Sequence, residues 1–177
     1  PLIATGERLA ALEIESASLP SITVSSAAAA NAVMLGAGYF TPLQGFMTRA
    51  DALSVATDLK TADGVFWPVP VLNMVQRFDG NVGDRIALRD PNVDGAPVIA
   101  VMDVTGIECL SDDDMSLMTQ EVFGTNDPNH PGVATFNAQG QVLLSGPIEV
   151  LNFSYFQSDF PGTFRTAMEI REEIESR

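Results

Sequence analysis

Turn-forming residues interrupt every long apolar stretch of this chain. It carries 14 Gly and 11 Pro in 177 residues, with Asp beside several of them, and apolar runs end within about ten residues, well short of the ~20 that a membrane-crossing helix needs. The spacing predicts short strands and short helices and no membrane span. Apolar residues still make up 46% of an 18.9 kDa chain, enough for a core without metal or disulfide staples, and a single globular domain is the starting expectation.

Local signals place the elements. Ser25 and Ser26 ahead of an Ala-rich run ending at Gly36 predict a capped helix with a glycine stop. Thr48 to Asp51 has the form of a capping box, with Leu53, Val55, Ala56 and Leu59 at helical spacing before Asp63-Gly64. Trp67 to Val75 is β-branched and apolar, but Pro68 and Pro70 cannot donate to a ladder, so an edge strand or strand entry is expected, followed by a turn at Asp79-Gly80. Arg85 to Arg89 and Pro97 to Ile107 read as strands joined by a hairpin loop, Pro91 to Gly95. Ser111 to Asp114 is a second capping-box pattern, opening a helix through Met115, Met118 and Val122 that stops at Gly124. Asn126 to Gly132 is turn-forming, Gln141 to Phe153 is a strand interrupted at Gly146-Pro147, and Thr163 to Arg177 is a terminal helix with Phe164, Ala167, Ile170 and Ile174 near one face. Strands and helices do not alternate regularly, which argues for an α+β fold around a small twisted or barrel-like sheet. Phe46 and Trp67, flanked by turn formers, are expected in the core.

Charge and the scarcity of certain residues exclude function classes. The net charge is −14, and the acidic excess lies mainly after Asp90. Nucleic-acid binding needs a basic stripe to displace counterions, so no nucleic-acid partner is expected, nor a membrane one. Pro1 to Glu15 shows no basic leader before an apolar block, and the lone Cys109 forms no internal disulfide, so a cytoplasmic protein is expected. Lys60 is the only lysine and no Walker-type phosphate loop exists. In Gly36-Ala37-Gly38 a Thr stands at position 41 where the dinucleotide fingerprint wants Gly, so a helix stop is favoured over a nucleotide loop. Cys109, near a strand end, reads as a small buried hydrophobe rather than a nucleophile. Asp112, Asp113 and Asp114 read as a solvated first helical turn that complements the macrodipole rather than as a cation site. Arg89-Asp90 reads as a local surface ion pair, with a functional arginine as the alternative. His130, the single histidine, precedes a proline and reads as a turn residue bonded to nearby backbone, with a substrate contact or a pH-sensitive role as alternatives. No histidine pair can ligate a metal, and no catalytic, cofactor-binding or metal site is assembled by the sequence.

Taken in order, three words resemble the N-terminal domain of ATP sulfurylases (sulfate adenylyltransferases): Ala17-Ser18-Leu19-Pro20-Ser21-Ile22, Gly38-Tyr39-Phe40-Thr41-Pro42-Leu43-Gln44-Gly45-Phe46-Met47 and Asp63-Gly64-Val65-Phe66-Trp67-Pro68-Val69-Pro70-Val71. The likeness continues through Ile86-Ala87-Leu88-Arg89-Asp90, then Val122 to Val133, then Gly146-Pro147-Ile148-Glu149, so it covers essentially the whole chain. It implies a PUA-like pseudobarrel of short, mostly antiparallel strands with flanking helices over residues 1–160. It further implies a helix at 161–177 leading toward a separate nucleotidyltransferase domain.

In that family a Gln-x-Arg-Asn-Pro-x-His-x-x-His motif binds ATP and sulfate, and this sequence does not contain it. The resemblance therefore implies a parent enzyme that makes adenosine 5′-phosphosulfate and pyrophosphate from ATP, with magnesium, and sulfate, or runs the reverse reaction in sulfur oxidation. This chain would be its inactive scaffold, packing on its own catalytic domain and within a homo-oligomer. Within the matched words Arg89, Asp90, Asp127 and His130 are the candidate domain-interface residues. A free-standing PUA-like binding or regulatory module is the alternative.

Overall fold

A computed structural model describes residues 1–177. In chain order the elements are α1 (Gly6–Ser16), β1 (Ser21–Thr23), α2 (Ser26–Gly36), β2 (Gly45–Phe46), α3 (Arg49–Asp58), β3 (Met74–Val75), β4 (Arg85–Arg89), β5 (Val98–Asp103), β6 (Gly106–Cys109), α4 (Asp112–Phe123), α5 (Pro131–Ala138), β7 (Val142–Val150), α6 (Phe156–Asp159) and α7 (Ala167–Glu175). The chain gathers into two compact units. The first comprises Pro1–Gly45, Gly83–Asp103 and Pro147–Arg177, and the second Phe46–Val82 and Val104–Gly146. No helix is long and apolar enough to cross a membrane.

In the first unit β1 runs parallel to β4, β4 pairs antiparallel with β5, and β5 pairs antiparallel with the C-terminal part of β7. The all-apolar centre of β4, Ile86-Ala87-Leu88, is fully buried, as are Ile99, Val101 and Val150. A strand with both faces covered reads as a continuous apolar run, which is the pattern here. Helix α2 packs close to this sheet: a Cβ built on Gly36 would come within 2.8 Å of Val150 Cγ1. Helix α1 closes a small cluster of Ala4, Leu12, Val101 and Leu151, with Leu9, Leu19 and Val98 at its margin. Removing a side chain such as Leu12 from a site of this kind costs about 2–5 kcal/mol.

In the second unit β6 and β3 both pair antiparallel with the N-terminal part of β7. Met74, Leu110, Met118, Leu143 and Leu144 are buried there with Val55. The capping chemistry read from sequence forms as written at α4. Ser111 accepts from Asp114 N–H while the Asp114 carboxylate accepts from Ser111 N–H, and Gly124 ends the helix in a left-handed conformation. At α3, Thr48 accepts from Asp51 N–H, but its hydroxyl donates to the Asp51 carboxylate in place of the reciprocal backbone bond. Gly140, at φ +101°, leads into β7, and a Cβ there would lie 2.4 Å from the Val75 carbonyl oxygen, so only glycine fits the turn.

Several expectations are corrected. The strand expected over Trp67 to Val75 shrinks to Met74–Val75; Pro68 and Pro70 keep the preceding residues out of any ladder. Phe46 is 4% exposed, as expected for core, whereas Trp67 is only half-buried. The turn falls at Val82-Gly83, not Asp79-Gly80, with Gly83 at φ +98°. Pro97 to Ile107 splits into β5 and β6. Conversely β7 runs unbroken through Gly146-Pro147. The interruption is one of partners: residues 142–145 pair with β6, and 148–150 with β5. Proline costs no ladder bond at such a change of neighbour. Helices α1 and α5 were not anticipated, because Thr5 makes no side-chain cap and α5 begins inside a segment of turn formers. The terminal helix starts at Ala167 rather than Thr163, since Thr166 is its N-cap. Cys109 is exposed, not buried; it is the last residue of β6, whose other residues are themselves only half-buried.

Candidate functional site

The chain's charged chemistry is concentrated in one constellation per unit. In the first, β4, β5 and β7 place three charged side chains side by side: Arg85 lies opposite Asp103 in register, and Glu149 lies opposite Val101 on the next strand. The Arg85 guanidinium donates to Asp103 at 2.6 Å, to Glu149 at 2.6 Å and to Glu15 of α1. Arg8, one α1 turn-pair away from Glu15, donates its Nε to Glu149 at 2.7 Å and its Nη2 to the other carboxylate oxygen. Two arginines thus face three carboxylates. Partial burial works against the Arg85 charge, but its carboxylate partners outweigh it and hold the guanidinium above its ordinary value. The Arg8 hydrogen bonds lower the Glu149 carboxyl to about 2 against the opposing effect of burial, with Arg85 adding to the shift.

In the second unit Arg49, the first residue of α3, forms a two-bond fork to Asp114 of α4, at 2.8 and 2.7 Å. The Asp114 side chain is 9% exposed. The hydrogen bonds from Arg49 bring its carboxyl to about 2; burial opposes this, and the bonds from Ser111 assist. The Arg49 backbone N–H also donates to Glu108 at 2.8 Å, so one residue joins the start of α3 to β6 and to the α4 cap. In the same unit a cavity of about 310 Å³ opens between α4 and α5, lined by Asp112, Ser116, Thr119, Asn126, Asn137 and Gln141 among others. Its lining holds no cation. A groove of about 550 Å³ in the first unit is bordered by Arg8, Gln44, Asp103 and Glu149, where one arginine is outnumbered by carboxylates. The arginine beside the groove already donates to the Glu149 carboxylate.

The four interface candidates divide between the units, Arg89 and Asp90 in the first, Asp127 and His130 in the second. The expected Arg89-Asp90 surface pair does not form. Arg89 donates to Ser21 Oγ and to the Ala96 carbonyl, while Asp90 is fully buried and accepts from Asn92 N–H. Asp90 lies just past the end of β4, and its carboxylate is held by the loop that follows instead of by its neighbour Arg89. Asp127 accepts from Asn129 within its own turn. His130 is the N-cap of α5, its Nδ1 accepting from Val133 N–H at 3.4 Å while its ring packs 5.6 Å from that of Phe123; the turn reading is refined to a helix cap. The residues missed from sequence are Arg8, Arg85, Glu149 and Arg49, whose partners stand many residues away and leave no local pattern; Asp114 caps α4 as read, but it is buried against Arg49 and not solvated as expected.

The most open apolar surface of the first unit is at its C-terminal end. The base of α7 is fixed by Ala167 N–H donating to Ala37 O at 2.9 Å and by Tyr39 Oη donating to Arg165 O at 2.7 Å. Beyond that base no residue of α7 is buried, and Met168, Ile170 and Ile174 are exposed. Phe153, Phe156 and Phe164 pack ring against ring just ahead of the helix. Charged residues, four glutamates and Arg171, fill most of the rest of α7, an amphipathic pattern normally covered by a partner surface.

These elements make an α+β fold of short, mostly antiparallel strands with flanking helices, with an ion network in each unit and an exposed apolar face on its terminal helix. The chain belongs to the PUA-like domain family, whose model matches residues 1–153, and its fold is the PUA-like pseudobarrel. It is 64% identical over 167 residues to a sulfate adenylyltransferase of Allochromatium vinosum, a match covering 94% of this chain and 42% of that protein. It is 56% identical over 176 residues to the sulfate adenylyltransferase of Alcanivorax borkumensis, covering 99% of this chain and 44% of that one. The chain therefore spans less than half the length of these curated relatives. Among solved structures, a hexameric APS kinase from Thiobacillus denitrificans superposes with a TM-score of 0.70 at 25% identity, covering 99% of this chain and 29% of that chain.

Proposed function

We infer that this chain is the N-terminal structural domain of a sulfate adenylyltransferase, a cytoplasmic enzyme that joins the adenylyl group of ATP to sulfate and releases pyrophosphate. The observation that carries this reading is 64% identity to a sulfate adenylyltransferase along 94% of the chain. The domain itself supplies no reacting group. In-line nucleotidyl transfer depends on positioning and on cations aimed at crowded phosphate charge, and the arginines of both ion clusters here are neutralised by carboxylates. Its role is architectural: the apolar face of α7 and the Phe153–Phe164 ring cluster support packing on the catalytic domain, with ATP and its magnesium held there. Residues 1–160 then form the domain and 161–177 the connection. Assembly into a homo-oligomer is part of the same reading, supported by the hexameric APS kinase that shares the fold.

Pyrophosphate release from ATP and sulfate, measured on the 177-residue chain alone and on the complete protein we infer contains it, tests the assignment. The complete protein is expected to be active and the chain alone to stay at background. Turnover by the chain alone would overturn the structural role, and inactivity of the complete protein would overturn the parent assignment.

A further inference from the structure

The hairpin loop between β4 and β5 reads Asp90-Pro91-Asn92-Val93-Asp94-Gly95, with oxygen-bearing side chains at its first, third and fifth positions and glycine at the sixth. Loops of this pattern turn alternate side chains toward one centre, and the sixth residue must adopt a left-handed backbone for the chain to reverse. Gly95 does so, at φ +81°. By itself this would be an ordinary polar turn. Asp90 makes it more: its side chain lies in a residue 0% exposed, and its Oδ1 accepts from Asn92 N–H at 2.8 Å, which aims the carboxylate into the loop. Its Oδ2 is buried with no hydrogen-bond partner. A buried carboxylate oxygen without a donor calls for a positive charge beside it. The adjacent cation, Arg89, is committed to Ser21 and to the Ala96 carbonyl.

We propose that the Asp90–Gly95 loop is a low-affinity site for a hard divalent cation, calcium in preference to magnesium. Its protein ligands are Asp90 Oδ2, Asn92 Oδ1 and the Asp94 carboxylate, with water completing the shell. Asn92 Oδ1 already accepts from Ser26 Oγ at 2.7 Å; this holds the amide oxygen in place and leaves it a second lone pair. Asn92 and Asp94 are exposed, so an ion reaches the loop from the solvent side. Calcium tolerates the irregular oxygen set that such a loop offers, whereas magnesium demands near-octahedral geometry.

Two ligands of a complete calcium loop are missing. The seventh-position carbonyl, Ala96, is turned toward Arg89, from which it accepts, and the twelfth position, usually a bidentate glutamate, is the buried Val101. The site belongs with the weak class, dissociating on the order of 1 mM.

Titration of the protein with CaCl2 at constant ionic strength, followed by amide proton–nitrogen NMR, reads this directly. The signals of Asp90 to Ala96 are expected to move saturably, half-complete near about 1 mM, and MgCl2 to move them less. Asp94→Asn, at an exposed position that should not disturb folding, is expected to weaken the response at least about tenfold. Asp113→Asn, the same charge change in another acidic stretch, should leave it intact. No saturable loop response up to about 20 mM calcium, or an equal response in Asp94→Asn, overturns the proposal.

Discussion

The two units hold their charges in opposite ways. The first spreads five charged groups over α1, β4, β5 and β7, with Arg85 shared among three carboxylates and each member a quarter to a half exposed. The second concentrates its ion chemistry in one forked pair whose carboxylate is 9% exposed and doubles as a helix cap. Solvent screens the first arrangement and spares the second, and a shared arginine makes each of its bonds partly redundant. The comparison teaches that the number of ion pairs is a poor guide to their value. What decides is whether removing one member leaves another group buried and unpaired.

The largest effect should follow loss of Asp114. Asp114→Ala takes away the Arg49 partner and the reciprocal half of the α4 cap together, and is expected to lower unfolding free energy by about 2–3 kcal/mol in a denaturant titration. Its pH dependence carries a signature. The Asp114 carboxyl sits at about 2, below the ordinary carboxylate value, so its contribution is complete above about pH 4 and fades as pH falls toward 2. Wild type and variant should converge there. A gap between them that persists at pH 2 would assign the loss to packing and remove the electrostatic half of the comparison.

A smaller effect is expected at the hub of the other network. Arg85→Ala leaves Glu15, Asp103 and Glu149 facing one another with only Arg8 to balance them, and should cost about 1–2 kcal/mol, read from thermal unfolding at low salt. Raising the salt to about 1 M should shrink that loss, because the Debye length falls to roughly 3 Å. A loss as large as that of Asp114→Ala and indifferent to salt would show that the two networks are not different in kind. The smallest effect belongs to Asp103→Asn: its side chain is 51% exposed, and the change should stay within about 0.5 kcal/mol by the same measurement. A cost above that of Arg85→Ala would reverse the ranking inside the network.

Much of the fold could be read from neighbours in sequence. Ser25, Thr48, Ser111 and Gly124 end or begin helices where their side chains and backbone predict, because a cap is an interaction across three or four residues. Strand β4 is bounded as its apolar centre and flanking arginines suggest. Elements whose boundaries depend on distant partners were harder. The continuity of β7 through Gly146-Pro147 is set by which strands lie beside it, and the short β3 by where Pro68 and Pro70 deny it a ladder. Helix α1 lacks a side-chain cap and takes its place through Leu12 in the core.

The candidate interface residues show the same division. His130 was legible as a residue bonded to nearby backbone, since its partner Val133 is three positions on. Asp90 was not: burial turned an expected surface ion into a fully enclosed carboxylate.

Sequence alone determined that this chain is acidic, poor in lysine and histidine, built of short elements and similar in its ordered words to the sulfate adenylyltransferases. Each of those is a property of composition or of residues close along the chain. Only the tertiary structure decided that Arg85 would be shared among carboxylates contributed by α1, β5 and β7, that Asp114 would be both cap and ion partner, and that the apolar face of α7 would remain uncovered. Those pairings join positions up to 70 residues apart, and a Coulomb contact depends on separation in space and on burial, neither of which the local sequence records.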